Sequence, residues 1–171
     1  MKIYLLRHGR AVERDAAGWD RDCDRPLTSE GEKQMVRIAR GMRQLNLEFD
    51  HALSSPYARA WRTAEIAAKE LGLGARLRAS RSLAPGGDPA ALVRQLRRLP
   101  QPAQRVLLVG HEPYLSRLAG LWIGGSDGLR IELKKGGLIR LEMDDMRLGQ
   151  CATLEWLLSP RHLMDLSSCG F

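Results

Sequence analysis

Two short apolar runs, Ile3-Tyr4-Leu5-Leu6 and Val106-Leu107-Leu108-Val109, constrain the fold of this chain more than any other feature. Both are too short for a helix, and their unbroken apolar character is that of a strand covered on both faces. Stretches with helical spacing lie between them. Thr28 or Ser29 can cap a helix, with Ser29 and Glu32 at capping-box spacing, and Met35, Ile38, Met42 and Leu45 then recur at helical intervals to about Leu47. A short strand is expected at 51–54, followed by a helix over about 57–71 with Ala60, Ala64, Ala67 and Leu71 on one face and Gly72 as its stop. Asp88 can cap a third helix that starts at Pro89 and turns Leu92, Val93, Leu96 and Leu99 inward. After the second apolar run, Leu115, Leu118, Ala119 and Trp122 share a helix face, with Pro113 expected at the first helical position. Beyond Gly136-Gly137 the period changes to two: Ile139, Leu141 and Met143 alternate with Arg140, Glu142 and Asp144, and 153–158 forms another run. The predicted fold class is α/β, a three-layer sandwich with a mostly parallel central sheet, helices on both faces and antiparallel strands at the edge.

A chain of 171 residues, 44% hydrophobic, can bury one core, and nothing in its composition divides it, so a single domain over 1–171 is expected. The first strand begins at residue 2 or 3 with no basic leader ahead of it, and no apolar run approaches membrane-spanning length. Cys23, Cys151 and Cys169 are odd in number and lack metal-ligand spacing, which is the pattern of reduced thiols in a cytoplasmic protein. A net charge of +7 could serve nucleic acid or an anionic substrate. The basic residues are interleaved with acids and form no arm or aromatic stacking platform, so neither nucleic acid nor a membrane is expected as a partner.

Chemistry gathers where the strands run out. In open α/β sheets, ligands bind in the crevice beyond the carboxyl ends of the strands. Arg7-His8-Gly9 follows the first run, Ser55 to Ala60 with Arg59 follows the strand at 51–54, and Gly110-His111-Glu112-Pro113 follows the second run. Two arginines and two histidines therefore converge on a site the size of one anion, with a helix N-terminus adding partial positive charge near His111. A neutral imidazole can attack phosphorus without being deprotonated, and an arginine presents a planar fork to phosphate oxygens. Gly9 is expected to let a ligand approach the backbone. Each residue also has a plainer explanation: Arg7 and Arg59 could be surface arginines, and His8 and His111 could be satisfied by local hydrogen bonds. His51 and His162 belong to no such motif and are expected to face solvent, as is the pair Lys134-Lys135.

The strand-end Arg7-His8-Gly9, the Ser-x-x-x-Arg-Ala segment from Ser55 to Ala60 and Gly110-His111 resemble, in order and spacing, the motifs of the histidine phosphatase (phosphoglycerate mutase-like) superfamily. Arg25-Pro26-Leu27-Thr28 with Gly31, Gly86-Gly87-Asp88 and Glu155 to Pro160 resemble its short bacterial subgroup, the SixA-type phosphohistidine phosphatases. The resemblance implies that His8 is the nucleophile and forms a phosphohistidine that water cleaves. It implies further that Arg7 and Arg59 clamp the phosphoryl oxygens and that His111 donates a hydrogen bond to them. No metal or other cofactor is implied, because the protein's own cations neutralise the phosphate.

Many superfamily members carry a glutamate in a Glu-Leu-x-Pro segment as general acid. Here the segment reads Ser82-Leu83-Ala84-Pro85, and the acid is missing. An alkoxide leaving group needs that proton, whereas imidazole can leave phosphohistidine as a neutral ring. The expected activity is hydrolysis of phosphohistidine on a signalling or phosphocarrier protein by a monomeric enzyme. The alternatives are a small-molecule phosphomonoesterase and an inactive phospho-protein binding module. Asp88 or Glu13 could supply the acid, although a helix cap and an exposed loop residue are the simpler accounts of those two.

Overall fold

The computed structural model describes residues 1–14 and 18–168, so Cys169 lies outside the described residues. Six strands form one sheet: β1 (Lys2–Arg7), β2 (His51–Ser54), β3 (Leu77–Ala79), β4 (Arg105–Gly110), β5 (Leu138–Met143) and β6 (Ala152–Leu158), in the order β3-β2-β4-β1-β5-β6. β1 pairs in parallel with β4, β4 with β2, and β2 with β3, while β5 runs antiparallel to β1 and β6 to β5. This is the expected mostly parallel sheet with an antiparallel edge.

Alternation along the strands divides the core in two. Ile3 and Leu5 of β1 with Val106 and Leu108 of β4 face one side, against α3 (Pro89–Arg97) and α4 (Tyr114–Gly124). Tyr4, Leu6, Leu107 and Val109 face the other, against α1 (Ser29–Gln44), α2 (Ala58–Glu70) and α5 (Pro160–Leu166). A strand buried on both faces has no polar positions to offer, which is why these two runs read as unbroken apolar segments. α1 and α5 touch closely: a Cβ on Gly41 would lie 1.9 Å from the Leu163 carbonyl oxygen.

Element boundaries differ from expectation in instructive places. Thr28, not Ser29, caps α1 by accepting the Gly31 amide at 2.9 Å, and Glu32 pairs with Arg62 on α2 in place of closing a capping box. α1 stops at Gln44, short of Leu47, and the chain turns at Asn46 with φ of 52°. α4 starts one residue late, with Pro113 as its N-cap residue. β3 was not foreseen: Leu77-Arg78-Ala79 is half-buried to exposed and shows no alternation, and pairing with β2 alone makes it a strand.

Register levels the strand ends. Arg7 pairs with Gly110, and Ser54 with Val109, so β1, β2 and β4 release the chain at one height. Backbone hydrogen bonds carry the alignment one residue further, from His8 N to Gly110 O at 3.0 Å and from Ser55 N to Val109 O at 2.9 Å.

Candidate active site

The four residues expected at the strand ends come together. His8 follows β1 and is 7% exposed, Arg59 lies in the first turn of α2 at 4%, and His111 follows β4 at 2%. Arg7 closes β1, half-buried. The rings of His8 and His111 stand 5.1 Å apart, tilted by 55°.

Hydrogen-bond partners define the state of His8. Its Nδ1 lies 2.8 Å from the Gly9 carbonyl, which can only accept, and its Nε2 lies 3.3 Å from the Arg59 Nε–H, which can only donate. Nδ1 therefore carries the proton, and Nε2 holds an unprotonated lone pair that accepts from Arg59. Burial, opposed by the Gly9 hydrogen bond and assisted by the charges of Arg59, Arg7 and Lys135, pushes the His8 pKa down to about 3. The ring stays neutral at physiological pH. Lys135 is exposed, yet its charge acts on the His8 ring, so the Lys134-Lys135 pair is less detached from the site than its sequence suggested.

Arg7 extends Nη1 to the Leu133 carbonyl at 2.8 Å, and its own carbonyl accepts the Gly136 amide at 3.0 Å, which ties the 133–137 loop to the end of β1. Burial lowers its pKa, and the nearby Glu112 carboxylate works against that. Arg59 donates three hydrogen bonds: Nε to His8, Nη1 to the Asp22 carbonyl at 2.7 Å and Nη2 to the Asp22 carboxylate at 3.0 Å. Thr63, one turn along α2, accepts from Gly9 N at 3.0 Å and donates to the Arg59 carbonyl at 2.7 Å, locking the loop after β1 to the helix that carries Arg59.

His111 places Nε2 2.8 Å from Ser55 Oγ, and that oxygen accepts the Tyr57 amide at 3.3 Å. Burial is the main cause that brings its pKa to about 3, reinforced by His8, Arg59 and Arg7 and opposed by Asp22. Arg7 Nε and His111 Nδ1 are buried with no hydrogen-bond partner among the described residues. A buried polar atom without a partner is costly, so these two are natural points of contact for a polar ligand.

Asp22 is the site residue that sequence reasoning missed. It opens the 3-10 turn Asp22–Asp24 in the charged loop before α1, and burial notwithstanding, hydrogen bonds from Arg25 and Arg59 bring its carboxyl down to about 2. The available signal was its position three residues ahead of Arg25, with which it pairs at 2.7 Å. The segment from Ser82 to Pro85 abuts the site, since the Leu83 carbonyl would lie 3.3 Å from a Cβ on Gly110. Asp88 caps α3 through the Ala90 amide at 2.8 Å and reaches Arg94 at 3.5 Å, and Glu13 is exposed on the loop; neither joins the four residues.

Two further expectations change. Gly9 is required by packing, because a Cβ there would meet Met35 Cγ at 2.6 Å; α1, not a ligand, occupies the space. His51 is half-buried, with Nε2 2.7 Å from the Pro100 carbonyl, whereas His162 is exposed as expected. Beside the rim, a largely apolar cavity of about 480 Å³ opens between Pro85, Pro89, Glu112, Pro113, Tyr114 and Leu118. Among the described residues, no three His, Cys, Asp or Glu side chains cluster as a metal ion would require, and no helix is long and apolar enough to cross a membrane.

Residues 3–83 match the sequence profile of the histidine phosphatase superfamily (branch 1), the stretch that contains Arg7, His8 and Arg59. The chain is 38% identical over 168 residues to an uncharacterized protein of Picosynechococcus sp., covering 96% of this chain and 99% of that protein. Its structure is similar to that of the protein histidine phosphatase SixA complexed with tungstate, at a TM-score of 0.81 and 27% identity over 95% of this chain and 99% of that one. The chain belongs to the histidine phosphatase superfamily. Similarity to SixA of Agrobacterium tumefaciens, with a TM-score of 0.74 and 25% identity, covers 93% of this chain and 97% of that chain. The superfamily member described here thus combines a fold shared with SixA proteins and a segment, Ser82 to Pro85, without a carboxylate.

Proposed function

We propose that this protein hydrolyses phosphohistidine on another protein through a phosphohistidine of its own. The observation that carries the reading is the lone pair on His8 Nε2, on a ring kept neutral by burial, which meets the Arg59 Nε–H at 3.3 Å beside the His111 ring 5.1 Å away. His8 Nε2 attacks phosphorus and forms an N–P bond while the substrate's N–P bond breaks, its electron pair going to a departing imidazole. A ring already protonated on its second nitrogen leaves neutral and takes no proton from the enzyme. Water then attacks the enzyme's phosphoryl group, the His8 N–P bond breaks, and the water proton leaves with phosphate or solvent.

Arg7 and Arg59 neutralise the non-bridging oxygens as charge redistributes, the main contribution a protein makes to phosphoryl transfer. In this scheme the Ser55 hydroxyl, 2.8 Å from His111 Nε2, acts as the donor, which puts the proton of His111 on the unpartnered Nδ1, where it bonds a phosphoryl oxygen. The pair of cationic forks and one neutral donor suits an oxyanion, with no cofactor in the scheme. A monomer in the cytoplasm is the state this reading assumes.

The absence of a carboxylate at Ser82 favours N–P over O–P cleavage. Side-by-side turnover of a phosphohistidine protein and a panel of phosphate monoesters tests it. Phosphohistidine should be cleaved at least about 10²-fold faster than an alkyl phosphate, the least that a general acid is worth. Ser82→Glu should raise alkyl-ester turnover and change phosphohistidine cleavage little. Efficient wild-type hydrolysis of sugar phosphates would replace this reading with that of a metabolite phosphatase.

A further inference from the structure

We propose that Asp22 is a positioning residue that grips Arg59 by its far end, so that the side edge of the guanidinium faces His8 and the oxyanion bound there. The inference rests on the phosphatase reading of the site. A guanidinium has two edges that can meet a pair of acceptors: the end, formed by Nη1 and Nη2, and the side, formed by Nε and Nη2. Asp22 takes the end, its carbonyl on Nη1 at 2.7 Å and its carboxylate Oδ2 on Nη2 at 3.0 Å. The side edge points the other way, where Nε approaches His8 Nε2 at 3.3 Å.

Asp22 is itself anchored. Its second oxygen, Oδ1, accepts Arg25 Nε at 2.9 Å and Nη2 at 2.7 Å, and Arg25 Nη1 reaches the Val12 carbonyl at 2.5 Å. A chain of contacts therefore runs from Val12, just past the Arg7-His8-Gly9 turn, through Arg25 and Asp22 to Arg59 and back to His8. An arginine side chain has many rotamers; this one is confined to one before any ligand arrives, and a pre-oriented fork loses less freedom on binding. The arrangement needs no displacement of Asp22, because the edge it occupies is not the edge the oxyanion uses.

The competing account makes Asp22 an internal anion that blocks the phosphate site. The two differ in sign. Removing a blocking anion strengthens oxyanion binding, whereas removing a positioning group weakens it. Tungstate affinity, measured by titration calorimetry on the full chain, decides between them without requiring turnover. Asp22→Ala should weaken tungstate binding about tenfold, the loss associated with a charged hydrogen bond. Asp22→Asn, which keeps an oxygen for Arg59 Nη2, should recover about a third or more of that loss on a logarithmic scale. In an Arg59→Ala background the same substitutions should have no further effect, since Asp22 acts through Arg59. Thermal melting establishes that each variant is folded; if Asp22→Ala is not, Asp22→Asn carries the same cycle.

Tighter or unchanged tungstate binding in the Asp22 variants overturns the proposal, as does equal weakening with and without Arg59. A wild type that binds no tungstate overturns it together with the oxyanion site. A wild type that binds tungstate but leaves phosphohistidine intact overturns the substrate assignment alone.

Discussion

Acid should destabilise this protein at a pH where its carboxylates are still ionised, because two histidines are buried neutral. His8 and His111 titrate at about 3 in the folded chain and at the ordinary value of 6.5 when unfolded. Between those values the unfolded chain binds more protons than the folded one, so stability is complete above pH 6.5 and falls as the pH drops through it. For one ring, the loss between pH 7 and pH 5 is about 2 kcal/mol. The rings are only 5.1 Å apart and repel when charged. The pair together accounts for roughly 2–4 kcal/mol, a large share of the roughly 5–15 kcal/mol that holds a domain together. Asp22 contributes in the same sense, but its stabilisation is lost only as the pH falls through its unfolded value of 3.8, below this window. Urea unfolding between pH 7 and 5 at constant ionic strength measures the effect, with His8→Asn and His111→Asn each flattening the pH dependence. A wild-type midpoint as flat as that of the double variant would show that the rings are not buried neutral. The same shift places the acid limb of kcat/KM below pH 5, since the nucleophile is already unprotonated there.

Three other outcomes follow from the site and its supports. His8→Ala should abolish turnover with the fold intact, and acid-labile phosphate should be trapped on the wild type only; residual turnover above a trace would remove His8 from the nucleophile's role. Arg7→Lys keeps a charge but gives up the fork that holds the Leu133 carbonyl through Nη1 and leaves Nε unpartnered for an oxyanion, so the rate should fall by about 10²-fold, with vanadate inhibition weakening in parallel. Gly41→Ala forces a methyl group to within 1.9 Å of the Leu163 carbonyl, so α5 must shift; the melting temperature should drop by the equivalent of about 1–3 kcal/mol, and an unchanged value would mean that α5 packs elsewhere.

What could be read from the chain in advance was whatever depends on near neighbours in sequence. β1 and β4 are apolar throughout because both their faces are covered, and helical spacing located Met35, Ile38 and Met42 in the core before any partner was known. Arg7, His8, Arg59 and His111 were legible because each ends or follows a strand, and the parallel sheet then brings those ends to one level. Asp22 was not legible, because its partner Arg59 lies 37 residues away and only the folded loop brings the two together. Gly9 was misread for the same reason: the atom that forbids a side chain there belongs to Met35, across the layer between β1 and α1. β3 has no pattern of its own and is a strand only because β2 offers it an edge. Spacing along a chain records which side of an element is buried, but the identity of the neighbour on that side is set by the packing of elements far apart in sequence, and it was this packing that fixed the orientation of Arg59 and the proton on His8.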